Sequence, residues 1–338
     1  MKRILSCSLG CLFFMLLLIS AAQAQVEGVR IVFMEPEAAS EKDQLPGYRS
    51  IEDSERIKTY TGWMNNGAAR MAMDLYKRAS RIAQKSESPA AYYIALVPGG
   101  NHADLGFRLR TGSGWESHER TAYIKLAPED WVFATTLFHE TGHVILSMLN
   151  GGKGIPSRSI ASIPHTTAAL TDRGTAFDEG FAIHLETLVA HIGADSVLRD
   201  RYDHSRFLFG AAGQRQSEYY RQSMDLLSFS QTRTRYYEVR ENTFAFAPAF
   251  KGPDYLRVQL EKSRDFTELR DANQLLQSEG FYATFFFSFL VRGIKAPTAD
   301  IIRDRQEQML ATLAEIFRSR PSEADSPYPL HFVDTFLR

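Results

Sequence analysis

Residues Trp131–Asn150 read WVFATTLFHETGHVILSMLN, an apolar run interrupted at its centre by His139-Glu140-Thr141-Gly142-His143. The run predicts a buried helix of about five turns. Pro128 suits a first helical position, and Glu129 and Asp130 place acidic side chains in a first turn. Asn150-Gly151-Gly152 is a helix stop. Residues four apart on a helix stand one above the other, so His139 and His143 present two imidazoles to one point. Glu140 lies about 100° round the helix and reaches the same point from the side. Two imidazoles and a carboxylate inside an apolar helix are costly unless they are paired or bind a metal ion. The alternative is two ordinary core histidines. Gly142 is unfavourable in a helix interior by about 1 kcal/mol, which implies that another backbone comes close there.

A His-Glu-x-x-His helix supplies two ligands, and a catalytic zinc ordinarily has three protein ligands and one open position. A third histidine in the pattern HExxHxxGxxH is excluded, because Leu146 and Leu149 occupy the positions that pattern needs. A carboxylate from a second helix is the alternative. Phe177–Ile192 has helical spacing and carries Asp178-Glu179-Gly180-Phe181-Ala182. Glu186, His184 and His165 are rivals to Glu179 as third ligand. Asp178 and Glu179 also have a plainer reading, as acidic residues in the first turn of a helix. Asp178 or Glu186 suits a role in orienting a ligand histidine through its other ring nitrogen.

His139–His143 together with Asp178–Ala182 resembles the gluzincin metallopeptidases, whose third ligand is the glutamate of an N/D-E-G-x-A sequence opening a later helix. The resemblance covers these two short segments and their order. It implies one Zn2+ per chain on His139, His143 and Glu179, with Glu140 as the general base. It also implies a zincin-like fold and the hydrolysis of peptide bonds by a zinc-bound water. The interval from His143 to Glu179 is longer than in several such enzymes, which leaves the shape of the connecting segment open. A donor to the tetrahedral oxyanion is expected from the C-terminal part, with Tyr202, His204, Tyr219, Tyr220, Tyr236, Tyr237 and Tyr282 as candidates. Glu279-Gly280-Phe281-Tyr282-Ala283 echoes the ligand segment and reads as a buried helix end.

Composition narrows the setting. Residues 1–24 read as a signal peptide: Lys2 and Arg3, the apolar Leu12–Ile19, and the small-x-small site Ala22-Gln23-Ala24. Gln25 is then the mature N-terminus and the protein is exported, periplasmic or secreted. The 2 cysteines, Cys7 and Cys11, both lie in that segment. Disulfides, thiolate catalysis and cysteine–zinc sites are thereby excluded from the mature chain. A formal net charge of -1 with no basic tract argues against a nucleic-acid partner. The partner implied is a peptide or protein substrate, with no stable membrane span after signal cleavage.

Around the motif the chain predicts an α+β, zincin-like fold. A small mixed sheet occupies an N-terminal α/β subdomain, residues 25–150, that ends in the motif helix. Strands are expected over 28–34, 91–97, 105–109 and 121–126, with a loop over 35–54, a helix over 64–83 and a turn at 112–114. Residues 151–176 read as a long loop. The mainly helical subdomain 151–338 carries the third ligand, with helices over 177–192, 202–213, 219–228, 266–277, 281–292 and 301–318. The rival to a peptidase is a non-catalytic exported zincin-like binding or envelope-assembly module. The intact set His139, Glu140, His143 and Glu179 speaks against it.

Overall fold

The structure, a computed structural model, describes residues 24–37, 45–65, 67–112, 114–127, 133–156, 171–192, 272–291, 293, 299–319 and 326–338. The signal segment up to residue 23, Pro128–Asp130, His165 and the expected helices over 202–213 and 219–228 lie outside the described residues. So do the candidate donors Tyr202, His204, Tyr219, Tyr220, Tyr236 and Tyr237, and the side chains of Glu186 and His191.

Six strands make the N-terminal part: β1 (Ala24–Val26), β2 (Val29–Pro36), β3 (Gly47–Ser50), β4 (Tyr92–Leu96), β5 (Asn101–Thr111) and β6 (Gly114–Leu126). β2 runs parallel to β4, β4 parallel to β6, β6 antiparallel to β5, β5 parallel to β3, and β3 antiparallel to β2. These pairings close a 5-strand barrel, with β1 added on β2. Alternation sorts the side chains into two sets. Met34, Tyr48, Tyr93, Ala95, Phe107, Leu109 and Tyr123 form one buried cluster within the ring. Ile31, Phe33, Tyr92, Ile94, Leu96, Ile124 and Leu126 belong to the main core shared with the helices. β4 is buried along its whole length because both its faces are covered, which is why YYIAL is a continuous apolar run.

Two helices precede β4: α1 (Ser54–Met64) and α2 (Gly67–Gln84). The Asp53 carboxylate caps α1 by accepting from Arg56 N at 2.9 Å. α2 packs its apolar face on the sheet; the Tyr76 ring meets Tyr92 at 4.7 Å and its hydroxyl donates to Ala91 O. After the barrel every described element is helical: α3 (Phe133–Leu149), α4 (Arg173–Ile192), α5 (Ala272–Leu275), α6 (Glu279–Val291), α7 (Ala299–Ser319) and α8 (Tyr328–Phe336). α4 is clasped between α3 and α6. α7 is tied to α2 by Arg78, which donates to Arg303 O at 2.9 Å and Gln306 Oε1 at 2.8 Å. No helix among the described residues is long and apolar enough to cross a membrane.

Several local expectations are corrected. The loop over 35–54 contains β3, a four-residue strand with one apolar side chain, Tyr48. β6 starts at Gly114, well before Thr121, because its first half is a polar hairpin arm paired with β5. β1 was not among the expected strands; its Ala24 pairs with Ile31 and is buried. α4 begins at Arg173 and not Phe177, shortening the expected loop. The Asp172 carboxylate caps it, accepting from Gly174 N at 3.0 Å and Thr175 N at 3.1 Å. α8, a helix of 9 residues, was not among the expected helices.

Candidate metal centre

The site is built where α3 and α4 touch. α3 sets His139 and His143 one turn apart, with their Nε2 atoms 3.2 Å from each other. Glu179 on α4 brings Oε2 to 3.2 Å from His139 Nε2 and 3.7 Å from His143 Nε2. Asp178 Oδ1 lies 2.9 Å from His143 Nδ1, the ring nitrogen that faces away from that triangle. Ligand atoms of His139, Glu140 and His143 all fall within 4.8 Å of one another, a candidate metal-binding cluster. The side chains of His139 and Glu179 keep 19% and 16% exposure, so the cluster opens to solvent.

Small residues permit this approach. A Cβ on Gly142 would meet Ala182 Cα at 2.9 Å, so Gly142 and Ala182 let α3 and α4 close on each other. A Cβ on Gly180 would run into the Tyr282 side chain and the Glu279 carbonyl oxygen at 2.7 Å, both on α6. The glycine and alanine of Asp178-Glu179-Gly180-Phe181-Ala182 therefore serve two different helix contacts, one on each side of α4. The close backbone approach expected at Gly142 is present, and the neighbour is the segment that carries Glu179. The segment Glu279–Ala283 is a buried helix end, as read from its sequence: Glu279 and Tyr282 are almost fully buried against α4.

The start of α4 at Arg173 changes the meaning of the acidic pair. Asp178 and Glu179 lie in the second turn, beyond the reach of the N-terminal dipole. Their charge is not explained by helix termination, and both carboxylates instead face imidazoles of α3.

Two further contacts hold the motif. Thr141 Oγ1 and Tyr92 OH are 2.7 Å apart, which anchors α3 to β4 beneath the cluster. Glu140 Oε2 accepts from the backbone N–H of Ala103 on β5 at 2.6 Å. Neither contact had a signal in the sequence, since a backbone donor is common to every residue except proline.

The electrostatics follow from crowding. Burial pushes the Glu140 carboxyl up, while the neighbouring His139 and His143 rings oppose the rise. Burial works to lower the pKa of His143, but the Asp178 and Glu179 carboxylates outweigh it and hold the ring at about 9. The cluster thus favours a positive charge between its imidazoles and carboxylates. A proton supplies that charge at neutral pH, and a bound cation can replace it.

Of the rivals for third ligand, His184 has a described side chain, and it stands apart from the cluster. His184 is fully buried; its Nδ1 contacts the Phe181 carbonyl and its ring packs on Phe181 and Phe286. Burial pushes it down to about 3, so it is a neutral core histidine. Tyr282 packs against Phe177 in the same core. For tetrahedral zinc with ligand bonds of about 2.0–2.1 Å, adjacent ligand atoms stand roughly 3.3 Å apart. The edges of 3.2, 3.2 and 3.7 Å among His139, His143 and Glu179 fit one face of such a tetrahedron. Searches of protein-family models, curated protein sequences and solved structures find no match to this chain.

Proposed function

We propose that this protein is an exported, zinc-dependent metallopeptidase of zincin-like, gluzincin-type design. His139, His143 and Glu179 hold one zinc, and Glu140 is the general base. The observation that carries the reading is the triangle of two imidazole nitrogens and one carboxylate oxygen at 3.2, 3.2 and 3.7 Å. A zinc ion bound there supplies Lewis acidity to a water and to a substrate carbonyl. The side chains of His139 and Glu179 are partly exposed, so solvent reaches the cluster.

The chain's own groups do the rest. Asp178 sets a carboxylate oxygen 2.9 Å from His143 Nδ1, where its charge favours a proton on that nitrogen and leaves Nε2 toward the cluster. Glu140 takes a proton from water as the water oxygen bonds to the carbonyl carbon. It then delivers that proton to the amine nitrogen as the C–N bond breaks. β5 runs alongside. Its segment 101–105 pairs with β6, and β3 joins β5 further on, at Arg108–Arg110. Within it the Ala103 N–H turns to Glu140 and the Leu105 N–H to Asp104.

Metal analysis combined with a peptide-library cleavage screen tests the reading. One zinc per chain is expected in the wild type and in Glu140→Gln, with cleavage by the wild type alone. A Glu140→Gln variant that cleaves at the wild-type rate overturns it, as does a chain that takes up no zinc.

A further inference from the structure

The geometry points to the backbone N–H of Ala103 as the group that positions Glu140, holding it by Oε2 so that Oε1 is the oxygen that receives the proton. The inference rests on the reading of Glu140 as the base. Ala103 stands opposite Ile124 in the β5–β6 ladder. Its N–H bonds to Glu140 at 2.6 Å and so points away from β6. Neighbouring residues in an antiparallel strand alternate in direction, so the N–H of Leu105 points outward as well. That donor is taken by the carboxylate of Asp104, at 2.8 Å. The strand therefore spends these two outward donors within the chain, one of them on the motif glutamate.

The bond has a physical reason. Glu140 is 5% exposed, and a carboxylate so placed needs a donor to offset its lost hydration. The glutamate side chain has three torsions, and without a fixed partner its carboxylate samples several places. One charge-assisted bond from a strand of the barrel removes that freedom.

Two measurements test this. In the metal-free protein labelled with [15N]alanine, the Ala103 amide signal is assigned by its loss in Ala103→Ser. Its proton is expected downfield, and Glu140→Gln is expected to move it upfield while the other alanine signals stay in place. In the zinc-loaded protein, Ala103 is replaced by its α-hydroxy analogue, so that an ester oxygen stands where the N–H was. The expected result is a fall in kcat of about 10- to 100-fold, with KM and zinc content unchanged. An Ala103 signal indifferent to Glu140→Gln overturns the inference, as does an ester protein with full zinc and wild-type kcat. A wild-type protein that binds zinc but cleaves no peptide overturns the peptidase reading and the role given to Glu140, even where the Ala103 signal responds.

Discussion

Gly142→Ala separates the packing of the two helices from the stability of the whole protein. The new Cβ would stand 2.9 Å from Ala182 Cα, 3.2 Å from Ala182 Cβ and 3.2 Å from Leu185 Cδ1. Ordinary contacts of this kind are 3.4–4 Å, so α3 and α4 must part by roughly 0.5–1 Å. Alanine is the better helix former by about 1 kcal/mol, and overpacking costs about 1–3 kcal/mol. The net loss for the metal-free protein is therefore small, about 0–2 kcal/mol. The proposed zinc site is expected to lose more. If the parting is carried to Glu179, the 3.2 Å edge to His139 opens to roughly 4 Å, past the spacing of tetrahedral zinc ligands. A weakening of zinc affinity by about a hundredfold is expected, which removes about 2.7 kcal/mol of zinc-dependent stabilisation. Chelator competition measures the affinity, and thermal unfolding with EDTA and with zinc measures the two stabilities. A variant with wild-type zinc affinity refutes the reasoning. So does one whose metal-free stability falls further than its zinc-dependent increment.

Three other outcomes are expected. His184 has a folded pKa of about 3, below the ordinary 6.5, so the neutral ring favours the fold above pH 6.5 and that contribution is lost as pH falls toward 3. Each unit of that shift is worth about 1.4 kcal/mol, and urea unfolding in EDTA from pH 7 to 4 should show a flatter decline for His184→Phe than for the wild type. His143 is held at about 9, above its ordinary value, so its proton competes with the metal at neutral pH. Zinc affinity is expected to rise about tenfold per pH unit up to pH 9, read by chelator competition; a pH-independent affinity would contradict the cluster's charge balance. The same His143 contribution has a stability side in EDTA: it is fully present below pH 6.5 and is lost as pH rises through 9. Asp178→Ala frees the His143 ring, and zinc affinity should drop about 10- to 100-fold while Asp178→Asn loses less; equal affinities in the two variants would remove Asp178 from this role.

Much of the fold was legible where the signal is local. β4 is a continuous apolar run and α7 a regular amphipathic pattern, and both are found close to the expected bounds. α1, β3 and the first half of β6 were missed for different reasons. α1 depends on its Asp53 cap more than on an apolar face, and only Met64 is buried in it. β3 and the arm of β6 are polar segments that become strands by pairing with β5, and their own side chains do not demand it. Ring closure itself, with β2 beside both β3 and β4, had no local signature.

For the candidate site the division is as sharp. The sequence by itself determined the relative placement of His139, Glu140 and His143, because residues one and four apart on a single helix are held by the covalent chain and its backbone bonds. It also excluded the HExxHxxGxxH pattern, because Leu146 and Leu149 stand three and six residues after His143, and offered Glu179 as third ligand against the rivals Glu186, His184 and His165. Among the described residues, only the tertiary structure could show that Glu179 lies beside the imidazoles and that His184 does not. It put Glu179 and Asp178 against α3, sent His184 into the aromatic core, and brought Ala103 N–H to Glu140. The distance between two helices depends on what stands between them. Here that is the contact of Gly142 with Ala182 on one face of α4 and of Gly180 with Tyr282 on another, which no spacing along the chain reveals.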